Sequence, residues 1–213
     1  MREQRDLNEI QSLRTEIVRR QLDMRREIYD GLLRRYLKIN TKEAKEIVTR
    51  VGNFYSFCNY AFQSVGLISF QREIIFLKDY FQLERFWYGN RFAITTDNTA
   101  GNFAIPPFTI FPLVREAAIN MTECDEDAVI SILVKKVGKK IHISICHDIP
   151  YILLCRESFR KENTYGFELL KQNVLLSCGG SLVRKATKEG LMENMIIIPE
   201  LQTIETGPNY LLF

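Results

Sequence analysis

The residues best suited to chemistry fall in the second half of the chain. His142 and Cys146 stand four apart in the run KIHISICHD, and His147 and Cys155 follow closely. Such a set invites a metal ion or a thiol nucleophile. The run alternates apolar and polar side chains, which predicts a strand, and residues i and i+4 of a strand share a face yet stand about 13 Å apart at a rise of ~3.3 Å per residue, too far for one ion. A nucleophilic Cys146 or Cys155 would need a histidine and an acid to orient and activate it, and sequence proximity alone does not supply them. The five cysteines, at 58, 124, 146, 155 and 178, are odd in number and nowhere closer than nine residues. That pattern fits neither a disulfide framework nor a paired-thiolate zinc site, so reduced, buried thiols and no metal are expected. Arg156, Arg160 and Lys161 read first as ordinary solvated charges and second as cations that could meet a phosphate.

With 213 residues, 46% apolar and 26% charged, the chain has the composition of a folded globular protein with a real core. No stretch approaches the ~18–20 continuous apolar residues of a membrane span, and the N-terminal MREQRDLNEI is charged, without an apolar leader core. A cytoplasmic location is expected, whether as a whole protein or as the cytosolic part of a longer membrane sensor. The net charge of +3 arises entirely within residues 1–38, which hold ten Lys/Arg and seven Asp/Glu. Their signs alternate along the sequence, as on the solvated face of a helix, and no nucleic-acid partner is expected.

The elements that must position any site follow from periodicity. Leu7, Ile10, Leu13, Ile17, Met24, Ile28 and Leu32 recur at mostly three- and four-residue intervals, with no Pro or Gly before Gly31, and predict one long amphipathic helix of coiled-coil character. A second helix, capped by Asn40 or Thr41, presents Ala44, Ile47, Val48, Val51, Phe54, Cys58 and Phe62. The two form an antiparallel hairpin joined near Lys38 to Thr41, and the apolar stripe left over favours a homodimeric four-helix bundle. A third helix runs from Ser69 to about Trp87, with Phe70, Ile74, Leu77 and Phe81 on one side and Gly89-Asn90 at its end. Its aromatics Tyr80, Phe81, Phe86 and Trp87 read as packing. Beyond it the period changes: Arg91 to Thr96, Val129 to Val137, Lys140 to His147, Ser181 to Lys185 and Met192 to Ile198 are strands, and Phe108 to Met121 and Tyr165 to Ser177 are helices. Gly138 with its flanking lysines makes a hairpin turn. The fold class is therefore α+β: a helical hairpin over 1–66, a linker helix over 67–90, an α/β sandwich over 91–199 and a tail over 200–213, whose apolar end either folds back or docks on a partner.

Three separated stretches resemble one family. FQREIIFLKDYFQLERFWYGN at Phe70 to Asn90 is similar to the linker of the LytS/YesM-type sensor histidine kinases. IPPFTIFPLVREAAIN at Ile105 to Asn120 resembles that family's N-box helix. TYGFELLKQNVLLSCGGSL at Thr164 to Leu182 resembles its second glycine box. The order agrees throughout, over about residues 21–199. The resemblance implies a dimerising helical hairpin and a GHKL-type (Bergerat) ATPase sandwich, with a response regulator or an active histidine kinase as partner.

It implies little for catalysis, because every chemical position departs from the family pattern. Where the family has its phosphoacceptor His, this sequence places Arg25, whose guanidinium stays protonated and cannot attack a phosphoryl group. The N-box Glu-Asn pair becomes Arg115-Glu116: a carboxylate can hold Mg²⁺ but donates no hydrogen bond, and it repels phosphate by roughly 4 kcal/mol at ~4 Å and an effective dielectric of ~20. Asn120, one turn on and on the same helical face, would compensate in part if it turned to the same ligand. The first glycine box has become His147-Asp148-Ile149-Pro150, with no glycine; by strand alternation His147 takes the adenine-contacting Asp position, and a one-residue slip would restore Asp148. In the second box Gly166 survives, preceded by Tyr165, which would crowd a phosphate cradle at the helix N-terminus. The lid, Tyr151 to Arg156, is apolar as if packed into an emptied pocket. The expectation is a pseudokinase acting through protein–protein contacts in a two-component pathway, with no cofactor; ATP and Mg²⁺ enter only if a divergent pocket still binds nucleotide through Glu116 and Asn120, with residual kinase or ATPase activity.

Overall fold

A computed structural model of the chain describes residues 2–23, 41–63, 66–88, 92–122, 127–148, 157–186 and 191–201. In order they form α1 (Arg2–Asp23), α2 (Thr41–Gln63), β1 (Ile68–Ser69), α3 (Phe70–Tyr88), β2 (Phe92–Asn98), β3 (Ala104–Ile105), α4 (Phe111–Thr122), β4 (Ala128–Val137), β5 (Lys140–Asp148), α5 (Glu157–Cys178), β6 (Ser181–Ala186) and β7 (Leu191–Pro199). No helix among the described residues is long and apolar enough to cross a membrane.

The five long strands make one mixed sheet in the order β2-β4-β5-β7-β6, in which only β2 and β4 run parallel. Parallel neighbours need a crossover, and α4 provides it. β4 and β5 are joined by the tight turn expected at Gly138, which takes φ 62, with Val137 opposite Lys140. Alternation then sorts each strand. Ile130, Ile132, Val134, Ile141, Ile143, Ile145, Leu182, Ile196 and Ile198 are buried on the face that packs with the helices, and Val129, Leu133 and Val183 stand exposed on the other. The five expected strands lie within one or two residues of their predicted ends.

Three expectations are corrected. The helix predicted from Phe108 starts at Phe111, because Phe108 takes φ 59, a left-handed conformation that a right-handed helix cannot include and that is unusual for a bulky side chain. Burial holds it there: Phe108 is fully buried against Phe57, at a ring separation of 5.4 Å. The helix predicted from Tyr165 starts eight residues earlier, at Glu157, since nothing in the run ESFRKENT breaks it. Val48, assigned to the apolar face of α2, is 49% exposed. The strands β1 and β3, whose register is Ile68↔Ile105 and Ser69↔Ala104, are too short for any periodic signal.

α1 and α2 are where the repeats of apolar residues put them, as far as Asp23 and from Thr41. The extension of the first helix to Leu32, Arg25 within it and the connection near Lys38 lie outside the described residues. Ile10, Leu13 and Ile17 are buried, with Arg14 completing the same stripe; on α2, Ala44, Ile47, Val51, Phe54 and Cys58 are buried, joined by Phe57. Both helices contribute to the same apolar core as the sheet. An aromatic cluster of Phe54, Phe57, Phe76, Tyr80, Phe108 and Phe111 bridges α2, α3 and α4, with Tyr80 edge-on to Phe111 at 4.8 Å. Arg14 reaches α5, where Nε donates to Asn173 Oδ1 and Nη2 to Ser177 Oγ, and Nη1 donates to the carbonyl of Gly66. Burial lowers the pKa of its guanidinium to about 10, which leaves it charged at neutral pH.

Gly179-Gly180 ends α5 as expected. Gly179 takes φ 66 and its N–H donates to the Leu175 carbonyl at 2.8 Å, the glycine stop of a helix. Gly180 has a different task, since a Cβ there would lie 2.8 Å from Val174 and Ile198 side-chain carbons and 2.9 Å from the Ile197 carbonyl. Gly180→Ala is therefore expected to destabilise the chain by about 1–3 kcal/mol, read as a lower urea midpoint with an unchanged slope.

Candidate functional site

α4 is set in place by a carboxylate from another element. Glu73 of α3 is fully buried, and its oxygens accept the N–H groups of Thr109 (3.3 Å), Ile110 (2.7 Å) and Phe111 (2.9 Å). Those are donors at the start of α4 that have no helical partner, so Glu73 acts as a cap delivered from outside the helix. Burial pushes its carboxyl up to about 7, against the pull of the three N–H groups.

From this fixed start, the helical period turns Arg115 and Glu116 to different neighbours. Arg115 is buried toward α3, where Nε donates to Tyr80 Oη at 3.0 Å. Glu116 faces the sheet and meets Arg184 of β6: Nη2 donates to Oε2 at 2.9 Å and Nη1 lies 2.8 Å from Oε1, a two-point fork. Arg184 Nε donates to Asn194 Oδ1 of β7 at 2.7 Å, and its guanidinium carbon lies 4.4 Å from the centre of the Phe167 ring of α5. One side chain thus ties α4, α5, β6 and β7 together. Burial raises the Glu116 carboxyl above its ordinary range, and Arg184 opposes the shift. Asn120 lies one turn beyond Glu116 and is buried. Asn194 is buried too, and its Nδ2 has no hydrogen-bond partner among the described residues.

β5 presents His147 on the same, helix-covered face, buried and diagonal to Asn194, while Asp148 is exposed on the opposite face. The alternation that assigns His147 to the inward position therefore holds. His147 Nδ1 lies 3.0 Å from the Asp148 carbonyl, so that nitrogen carries the proton of the neutral ring. Burial lowers the imidazole below its ordinary pKa; the Asp148 carbonyl opposes this, the Arg184 charge adds to it, and the Asp148 charge also opposes it.

Gly166 is corrected. It lies inside α5, nine residues past the start, where a backbone N–H is already spent on the helix, so it frames no phosphate cradle at a helix end. Tyr165 belongs to the same helix and its side chain lies outside the described residues, as do Arg25, the lid over residues 151–156, and the side chains of Arg160 and Lys161. His142 and Cys146 lie on the open face of the sheet, away from His147. Among the described residues no group of three or more His, Cys, Asp or Glu could hold a metal. Cys58, Cys146 and Cys178 are free thiols, and burial pushes Cys58 up to about 12, which keeps it a thiol.

Glu116 thus has both carboxylate oxygens on the Arg184 guanidinium. Arg184 and Asn194 are the residues that sequence reasoning missed. The signal was available: Leu182 and Ile196 point inward, so a period of two also points Arg184 and Asn194 inward, and an inward cation requires an acid.

No family model matches the chain, and no curated protein does. Solved structures do. A bacterial phosphotransferase matches with a TM-score of 0.52 at 12% identity, over 88% of this chain and 95% of its own. The histidine kinase AdeS of Acinetobacter baumannii matches with a TM-score of 0.49 at 12% identity, over 84% and 97%. The histidine kinase ThkA in complex with the response regulator protein TrrA matches with a TM-score of 0.44 at 18% identity, over 93% and 65%. At such identities the likeness to the phosphotransferase is one of fold alone: a mixed α/β arrangement.

Proposed function

We propose that this chain is a catalytically inactive, histidine-kinase-like signalling protein that works through protein–protein contacts in a two-component-type pathway. The observation that carries the reading is the Glu116–Arg184 fork. Where a kinase of this fold needs groups free to take a metal triphosphate, this chain supplies a neutralised, mutually satisfied pair, further bound to Asn194 and covered by Phe167. Arg25 at the position that the resemblance gives to the phosphoacceptor supports the same reading, since a guanidinium that stays protonated is not the nucleophile that a neutral imidazole is. The sequence words shared with LytS/YesM-type kinases support a degenerate member of that group.

In this reading α1 and α2 form the dimerising hairpin, and the partner is a response regulator or an active histidine kinase bound without phosphate acceptance. Titration of the purified chain with ATP and Mg²⁺ in a calorimeter is expected to give no binding heat up to millimolar nucleotide. The competing reading, a divergent pocket that binds ATP through Glu116 and Asn120, requires Arg184 to release Glu116. It predicts micromolar binding and an ATP-dependent rise in Tm that Glu116→Ala abolishes, and that result would replace the pseudokinase reading.

A further inference from the structure

The end of the sheet remote from Glu116 carries a second feature that the scaffold role does not use. The β4–β5 turn reads Lys135-Lys136-Val137-Gly138-Lys139-Lys140, four cations in six residues, all of them exposed. Neighbouring strands do not cover its tip on the β2 side: β2 ends at Asn98 opposite Val134, so β4 overhangs it by the three residues from Lys135 to Val137. Only Lys136 has an acidic partner among the described residues, Glu200, which leaves Lys135, Lys139 and Lys140 to the solvent. Val137, at the apex, is 54% exposed.

We propose that this hairpin tip docks the protein on an anionic phospholipid bilayer. The side chains decide between lipid and an acidic protein segment. The tip presents an exposed apolar side chain, Val137, flanked by four exposed cations. That order suits an interface in which the valine methyls sit below the headgroups while the lysine stems reach up to the phosphate level. Each lysine close to an anionic surface raises partitioning about fivefold, so three together give roughly a hundredfold preference for anionic over neutral vesicles at low salt. A dimer would present two tips and bind more tightly by avidity.

Co-sedimentation of the full chain with neutral phosphatidylcholine vesicles and with vesicles containing about one-third phosphatidylserine tests the proposal. Wild type is expected to pellet with the anionic vesicles alone and to be released by half-molar salt. Lys139→Glu with Lys140→Glu is expected to lose binding by roughly 30-fold or more, and Val137→Asp by several-fold, with unchanged circular dichroism and Tm. Equal binding to both vesicle types, no binding to either, or undiminished binding of the Lys139→Glu, Lys140→Glu chain would overturn it. Capture by soluble polyglutamate without vesicle binding would assign the tip to an acidic protein instead. None of these outcomes bears on nucleotide binding, so the pseudokinase reading stands or falls separately.

Discussion

Replacing Glu73 by alanine is expected to lower stability by about 3–4 kcal/mol. The carboxylate is fully buried and satisfies the N–H groups of Thr109, Ile110 and Phe111. Alanine leaves three buried donors without an acceptor, each costing about 1–3 kcal/mol if unrelieved, and water entering the vacated space recovers part of that. Glutamine should fall between, because its amide oxygen can accept the two shorter bonds while its NH₂ faces a donor. The same group makes stability depend on pH. Its carboxyl is raised from 4.5 to about 7 by burial, so between those values the folded chain holds a proton that the unfolded chain has released. Stability is thus favoured by this group at low pH and lost as pH rises through about 7, by on the order of 3 kcal/mol across the window. Urea unfolding at pH 5 and pH 8 measures it: wild type should weaken at the higher pH from this source, and Glu73→Gln should show a flatter profile. Equal slopes in the two proteins would mean that Glu73 stays ionised throughout.

Arg184→Met is expected to cost about 2–3 kcal/mol, somewhat below the ~3–5 kcal/mol typical for breaking a fully buried pair, because the two side chains keep 19% and 22% exposure. The loss comes from Glu116, left as a carboxylate in a site whose burial already raises its pKa. A carboxyl with a raised folded pKa destabilises the fold as pH climbs past its unfolded value, so the defect should shrink in acid and grow toward neutrality. Adding Glu116→Leu to the variant should recover most of the loss, as replacing both members of a buried pair by apolar groups commonly does. If the double variant is no more stable than Arg184→Met, then the pair does not act as a unit and Arg184 matters through its contacts with Asn194 and Phe167. The comparison also tests the function, since Arg184→Met leaves Glu116 unclaimed: gain of magnesium nucleotide binding would show that the guanidinium alone keeps the site closed.

Much of the architecture was legible from one sequence because strand and helix periods are local properties. All five long strands, the linker helix and the stripes of α1 and α2 follow from which residues are apolar and how they are spaced. The errors share a cause. β1 and β3 pair residues some 35 positions apart and carry two residues each, so no local pattern marks them. Phe108 abandons the helix because Phe57, at a distant point in the chain, completes its environment. Val48 has the right period for the buried face but lies at its margin, 49% exposed.

The sequence by itself established a mixed α/β architecture and the strand alternation that turns His147 inward and Asp148 outward. Tertiary structure alone decided which buried groups meet. That Arg184 on β6 meets Glu116 on α4, 68 positions away, and that Glu73 caps the helix carrying Glu116, depend on which elements become neighbours across the core. Side-chain type fixes what charge must be satisfied; only the packed chain fixes which distant group satisfies it, because a buried charge is paired through space and not along the backbone.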